Sequence, residues 1–567
     1  MEDVDLKPVS IPKEALPSDN GFHHEPCKEN NEDHLDTTES TSNSEHDDHE
    51  VFVEYPSVAR RTVIVTGVAL ALFCLGFDMT IIATAIPRIT DEFRGIELIG
   101  WGKVYQYFSL KYSFVLAVFI FEIGSLLSGT VRRIPYIFLS VALAPAVVHD
   151  LSILIALIGV SPSSTVLIVG RAVTGVGGAG IATGGYAILT VIARPELRPI
   201  FTGLVTTVYS VANCIGPLMG GAFAEHTTWR WCFYVNLPFG GTSGVIIFLL
   251  FKSPTRPKQL ASLKEKVSHL DFVGVTLAVA ALVCFSRALQ VGGTKKPWNS
   301  SEVIGLLVGF VVLVIVFVLS QKFLDDCAMM VRHILKKRVI IITLIWGFLL
   351  EGGFYTLLYV LPIYFQAVGD ISPAQAGVHN IPLLLSCGLS SLAVGFLFSK
   401  FQHPVPLMVW ASAGGCIGTG LIYLLDVDSP ASQWIGYQVF AGLAFGSGLP
   451  LAIIVGQANV AAEDIPSATA MILFILGVGG ALALATAQSI LDNSLLSDLP
   501  SLAPTVDPQA VLKAGATEIY STFAVDAVPG IVKAYLKGLR GVYIMIIAFT
   551  GIATLAAATK KLDKIKC

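Results

Sequence analysis

Residues 216–240 read GPLMGGAFAEHTTWRWCFYVNLPFG, and this stretch decides the class of fold. Gly216, Gly220 and Gly221 strip side chains from one face of an apolar helix, so a neighbouring helix can approach closely. Pro217 removes a backbone donor and invites a kink. Trp229 and Trp231 then suit a water–lipid boundary, where an apolar ring with one polar N–H is best placed, and Arg230 keeps to the wet edge. A second apolar helix opens directly afterwards. The order of these parts describes one pass out of a membrane and the start of the next.

The rest of the chain agrees. Of its 567 residues 54% are hydrophobic and only 14% charged, so soluble domains of ordinary size cannot hide its apolar surface. The net charge of −4 and the scatter of basic residues in short clusters argue against a nucleic-acid surface. Nine cysteines lie mostly singly in apolar runs, with no CxxC pair and no His/Cys ligand spacing, so they read as small core residues and no metal or other cofactor is expected. Residues 1–58 form a polar tail, rich in Asp, Glu, His, Ser and Asn to position 56, that cannot offset the entropy of ordering. The tail lacks the basic and apolar regions of a cleavable signal, which leaves the first span to direct insertion.

About 20 apolar residues are needed to cross the hydrocarbon layer. Runs of that kind predict about fourteen spans, near 62–86, 113–130, 134–158, 165–192, 201–223, 232–251, 270–291, 303–321, 338–361, 374–399, 405–425, 433–455, 467–490 and 541–559. Basic clusters fix the expected orientation. Arg60 and Arg61 precede the first span, Arg194 and Arg198 follow the fourth, and Lys252, Arg256, Lys258, Lys264 and Lys266 follow the sixth. Arg332, Lys336, Lys337 and Arg338 lie ahead of the ninth, and Lys560, Lys561, Lys564 and Lys566 close the chain. The positive-inside rule puts all of them, and both termini, in the cytoplasm.

Residues 216–240 resemble the antiporter motif of the drug:proton antiporters of the major facilitator superfamily, in the fourteen-helix branch abundant in fungi. Residues 76–88, GFDMTIIATAIPR, are similar to that branch's first-helix motif, and 170–180, GRAVTGVGGAG, to its fourth-helix motif. FEIGS at 121–125 and PIYFQ at 362–366 also fit, and the likeness runs from residue 59 to residue 560 outside one region. The resemblance implies an all-α integral membrane protein with the major facilitator fold, two six-helix bundles plus two extra linker helices. It divides the chain into an N-terminal bundle at 59–252, a linker with the extra pair at 253–337, and a C-terminal bundle at 338–567 with a long outer loop at 492–538. Substrate would bind between bundles that rock about the midplane.

Several polar residues stand inside these apolar runs. Asp78 is the chemical candidate: an intramembrane carboxylate is expensive unless it faces water or a partner, so it either exchanges a proton or holds helices by a hydrogen bond. The family's fourth-helix Arg is thought to assist proton transfer, a role the resemblance carries to Arg171. Glu351 sits mid-span in VIIITLIWGFLLEGGFYTLLYVL, where the family usually has a small or apolar residue, and is a third proton-coupling candidate. Glu122, within FEIGS, reads as a structural part of its helix, and Arg287 as an end-of-span residue that snorkels to water. Asn213, Gln366 and Gln457 are substrate-path candidates, with interhelical hydrogen bonding as the plainer alternative. Gly175, Gly177, Gly216, Pro217, Gly220 and Gly221 form the conformational motif. Gly175, Gly177 and Gly180 also spell GxGxxG, but the run lies inside an apolar span instead of between a strand and a helix, so no nucleotide site follows.

One region departs from the family. Between Asp91 and Gly129 a whole second helix is missing, and GWGKVYQYFSLK at 100–111 reads as the loop ahead of the third. Residues 130–158 have no family counterpart, and deleting them joins EIGSLLSG to VSPSSTVLIVGRAVTG. The pattern points to a gene model that skips about twenty residues, one span's length, and retains an intron. Taken as written, a span over 134–158 would restore an even crossing count and force Lys103 and Lys111 outside.

The expected activity is proton-coupled export of small organic molecules such as a secondary metabolite, toxin or drug, by alternating access, in a monomeric non-enzyme of the plasma membrane. Uptake or vacuolar carriage of a siderophore or basic amino acid, and a non-transporting receptor or scaffold, are the alternatives. The expected partners are the small-molecule substrate, protons and the lipid bilayer.

Overall fold

The computed structural model describes residues 55–81, 98–129, 164–228, 230–253, 271–324 and 328–559. Its longer helices are α1 (Val58–Ile81), α2 (Leu98–Tyr107), α3 (Leu110–Gly129), α4 (Ser164–Ile192), α5 (Arg198–His226), α6 (Asn236–Leu250), α7 (Phe272–Val291) and α8 (Ser301–Phe323). They continue with α9 (Arg338–Gly369), α10 (Ile381–Phe401), α11 (Pro404–Tyr423), α12 (Ala431–Phe445), α13 (Gly448–Ala458), α14 (Ile465–Leu502) and α15 (Val528–Ala558). Among the described residues, 13 helical segments are long and apolar enough to cross a bilayer. The expected span over 134–158 lies outside the described residues, as do most of the 1–58 tail and Trp229.

Glycine sets the helix packing. A Cβ at Gly177 would lie 2.2 Å from the Phe121 backbone nitrogen, and one at Gly124 2.3 Å from that of Thr174, so α3 and α4 run antiparallel almost backbone to backbone. Gly76 and Gly216 do the same for α1 and α5, where added Cβ atoms would lie 2.7 Å from the Tyr209 carbonyl and 2.1 Å from Thr80 Oγ1. The glycines of the GxGxxG run also seat α2: Trp101 and Tyr105 donate to the carbonyls of Val176 (2.7 Å) and Gly180 (2.8 Å), and a Cβ at Gly184 would strike the Tyr105 hydroxyl.

These contacts correct the reading of the second helix. Residues 98–107 are not a loop; they form α2, which runs parallel to α4, since successive turns of one meet successive turns of the other. At about 1.5 Å per residue α2 is roughly half a span. The face on which α3 begins is also corrected. Arg60 donates to the Leu250 carbonyl at the end of α6, and Lys111 Nζ lies 5.2 Å from the Phe248 ring on the same end. The start of α3 therefore shares a face with Arg60, Arg61, Arg194 and Arg198, and Lys103 and Lys111 are not on the opposite side. Gly129 and Ser164, which flank 130–163, both lie toward the far face, because Ser128 packs on Gly170.

Two further differences concern length. The stretch 492–538, expected as loop, is largely helical: α14 continues to Leu502 and α15 begins at Val528. Leu495, Leu499, Ile531, Ala534 and Tyr535 are buried, so an apolar stripe keeps these helices paired beyond the bilayer core. Gly530 allows that pairing, since a Cβ there would lie 2.2 Å from the Leu502 carbonyl.

Two seams join the N-terminal and C-terminal halves. Along the first, α5 and α10 touch through Gly203 and Gly395, and Thr207 donates to the Gly388 carbonyl at 2.8 Å. Along the second, Gly102 of α2 packs on Ala470 of α14, and Ser467 donates to Gln106 at 3.2 Å. The pair α7 and α8 stands apart. Asp271 caps α7 by accepting from the Gly274 amide at 2.7 Å and also accepts from Gln321 at 2.5 Å and from the Met329 amide at 3.3 Å, which ties the pair to the segment ahead of α9. Only 6% of the apolar window of α8 is buried, so lipid must cover the remainder.

Candidate functional site

Asp78 on α1 and Arg171 on α4 meet. Arg171 donates to Asp78 Oδ2 at 2.6 Å, and their side chains are 10% and 1% exposed, respectively. The pair is incompletely satisfied: Asp78 Oδ1 and Arg171 Nε are buried without a hydrogen-bond partner. Taking both ions out of water costs several kcal/mol each, which their mutual attraction repays only when geometry and hydrogen bonding are good.

Glu351 is elsewhere. It lies on α9, 6% exposed, with no hydrogen bond or ion pair to its carboxyl among the described residues. It feels Tyr186 of α4, Tyr355 of its own helix and Cys387 of α10 electrostatically, so it faces the boundary between the halves. Across that boundary the hydroxyls of Tyr209 on α5 and Tyr355 stand 3.3 Å apart, while within the N-terminal half the hydroxyls of Tyr186 and Thr206 are hydrogen-bonded at 3.1 Å. Asn213, one turn on from Tyr209, is buried with Oδ1 unpartnered. Gln457 instead donates to Thr469 at 2.9 Å between α13 and α14, the plainer alternative for that residue, and Gln366 is half-buried on α9.

Within the conformational motif, Gly177 carries the α3–α4 contact, Gly216 the α1–α5 contact, and Gly175, Gly220 and Gly221 lie on the same two helices. Pro217 sits inside α5 against Gly377 of the C-terminal half, where an added Cβ would be 2.6 Å from the Pro217 Cβ. Sequence reasoning missed the three tyrosines, although phenol hydroxyls at mid-span were the available signal. It also undervalued Glu122, whose two carboxylate oxygens are buried without partners.

The Major Facilitator Superfamily model matches residues 68–484 of the chain. The chain belongs to that superfamily. This facilitator is 40% identical over 521 residues to the MFS-type transporter grgE of a Penicillium species, covering 88% of this chain and 86% of the relative. It is 39% identical to the MFS-type transporter thnB of Trichoderma harzianum, over 89% and 85% of the two chains. It is 35% identical to the efflux pump aunC of Aspergillus niger, over 89% and 93%. Among solved structures, the proton:xylose symporter XylE superposes with a TM-score of 0.51 at 14% identity, covering 88% of this chain and 95% of that one, which shows the fold alone. The facilitator is thus a fungal-type, all-α integral membrane transporter of small molecules and not an enzyme.

Proposed function

We propose that this protein exports small organic molecules in exchange for protons, by alternating access of a site between its halves. The buried Asp78–Arg171 pair supports the reading: an acid and a base are held together inside the N-terminal half with one carboxylate oxygen open, so a proton that loads on Asp78 would release Arg171 and couple proton binding to a change in helix contacts. The relatives named as efflux pumps support the export direction. Glu351, Tyr186, Tyr209, Tyr355 and Asn213 are the residues that would meet substrate, and the two glycine-lined seams are where the halves would rock. The basic face would be cytoplasmic, with both termini on it, in a monomer of the plasma membrane.

The test is transport into sealed vesicles bearing an imposed pH gradient, with labelled lipophilic fungal metabolites and a trapped pH dye. Substrate movement should follow the proton gradient, collapse with a protonophore and disappear in Asp78→Asn. Export that continues unchanged in Asp78→Asn would overturn the coupling role. Substrate entry instead of exit would favour an uptake carrier.

A further inference from the structure

We propose that residues 328–337 are a strap by which the extra pair α7–α8 restrains the first turns of α14, fastened by a clasp between His333 and Asp464 that acid tightens. The inference rests on the rocking of the halves proposed above and is independent of the coupling role of Asp78. One end of the strap is held by Asp271. Its carboxylate accepts from Gln321 at 2.5 Å and from the Met329 amide at 3.3 Å, and the Met330 amide donates to Gln321 at 2.9 Å. Met329 is buried in one apolar cluster with Ala278 and Leu282 of α7 and Phe474 of α14. Val331 and Ile334 are buried as well, so apolar contacts seat the strap along its length.

The other end grips the turn that leads into α14. His333 Nε2 lies 2.8 Å from Asp464 Oδ2, and Lys337 donates to the Asn459 carbonyl at 2.8 Å. Asp464 stands at the N-cap position of α14, where an aspartate ordinarily accepts from an amide of its own helix. It makes no such bond and turns to the strap instead. Within the next two turns Ser467 and Ala470 meet Gln106 and Gly102 of α2, so the clasp sits at the foot of the second seam between the halves. For that seam to part, α14 must move against α2, and a strap fastened one turn away resists the movement.

Histidine is the side chain that changes charge between about pH 5 and 8. The His333 side chain is 60% exposed, so solvent on the basic face reaches it. Among the described residues, the titratable and charged groups on the elements that meet here are Glu463 and Asp464 ahead of α14, Arg332, Lys336, Lys337 and Arg338 on the strap and at the start of α9, and Asp271 and Lys322 on the α7–α8 side. Asp464 is the acid against the imidazole. An imidazolium makes that contact a charge-assisted bond, roughly twice as strong as a neutral one. The clasp is therefore tight on the acid side of the histidine range and slackens as pH rises through it. Under the proposed exchange protons accumulate on the basic face, and the clasp slows the cycle as they do.

The experiment is hydrogen–deuterium exchange of the purified full chain in nanodiscs, read by mass spectrometry over residues 467–474 and 98–107. It is run at about pH 6 and about pH 7.5, either side of the histidine range, with each corrected for intrinsic exchange. Wild-type exchange in both segments should be about two- to fivefold slower at the lower pH, the size an exposed ion pair gives. His333→Gln should abolish that difference and exchange quickly at both values, while His333→Lys, a cation at both, should exchange slowly at both. Asp271→Asn, which loosens the far end of the strap, should speed exchange over 467–474 at both values. A pH difference that survives His333→Gln overturns the proposal, and so does a His333→Lys protein that behaves like His333→Gln. An Asp271→Asn effect confined to 271–337 overturns the part given to the extra pair. The measurement needs no substrate and no gradient, so its failure is distinct from failure of the coupling reading, which shows as normal export by Asp78→Asn.

Discussion

Two buried acids of this transporter differ in where they sit and in what they touch. Asp78 is held within the N-terminal half, on α1, by Arg171 at 2.6 Å. Glu351 has no such partner among the described residues and lies on α9 facing α4 and α10, across the boundary where the halves meet. A paired charge can remain in place while its surroundings move. An unpaired acid at a boundary that opens is placed to meet whatever enters. Under the proposed function the first region would handle protons and the second would meet cargo, and that division can be attacked from either side.

The largest expected effect comes from the coding sequence around the first region. Transcript reads across codons 100–160 should reveal about twenty additional codons near Trp101, one span's length, and removal of roughly 130–158. The restored chain should transport where the chain as given does not. Reads that reproduce the present sequence throughout would remove this explanation for the short α2.

Next is the pair itself. Asp78→Ala leaves a buried guanidinium unpaired and should cost about 3–5 kcal/mol of stability, read as a lower thermal midpoint in detergent. Replacing both partners, Asp78→Leu with Arg171→Met, should recover most of that loss while transport stays abolished. Recovery of transport in the double variant would show that the pair is only structural. Gly216→Ala follows, since its Cβ would fall 2.1 Å from Thr80 Oγ1; overpacking at the α1–α5 contact should cost about 1–3 kcal/mol in the same assay.

The second region should respond differently. Glu351→Gln removes a buried carboxyl that has no partner among the described residues, so the thermal midpoint should hold or rise, while export of a basic substrate should weaken about tenfold, equivalent to about 1.4 kcal/mol. A fall in stability with unchanged export would reverse the assignment. The smallest effect belongs to Tyr209→Phe, which breaks a 3.3 Å hydroxyl contact between the halves. It should cost about 0.5–1.5 kcal/mol and change the rate of cycling more than substrate affinity.

The thirteen spans among the described residues were legible because long apolar runs have few alternatives to a membrane helix, and Arg60, Arg61, Arg194 and Arg198 share one face of the bundle. Helix ends were less legible, because apolar stripes such as Leu495–Leu499 against Ile531–Tyr535 continue pairing where hydropathy alone predicts loop. The second helix was misread for a related reason: ten residues with a Gly-Lys pair do not reach the length of a span, and only their seat against Gly180 and Gly184 reveals a helix. Asp78 and Arg171 were each visible as intramembrane charges, but they stand 93 positions apart, and no spacing rule joins residues on different helices. Glu122 was discounted because its motif is familiar. Its missing hydrogen bonds are a property of three-dimensional surroundings and leave no trace in the sequence. The tyrosines at the boundary were passed over because aromatic residues in a span usually pack against lipid or core.

The seam between α5 and α10 has a mechanical consequence. Gly203 and Gly395 bring backbone against backbone, with added Cβ atoms falling 2.5 Å from the Ser391 carbonyl and 2.6 Å from the Pro199 carbonyl. Such a joint has no side-chain cushion to compress, and interlocked carbonyls resist sliding along its length. Turning about it is the cheap movement that remains. Under the proposed alternating access the seam would be a fulcrum and the helices remote from it lever arms, so one methyl group added at Gly203 would be magnified into a wider displacement at the rim.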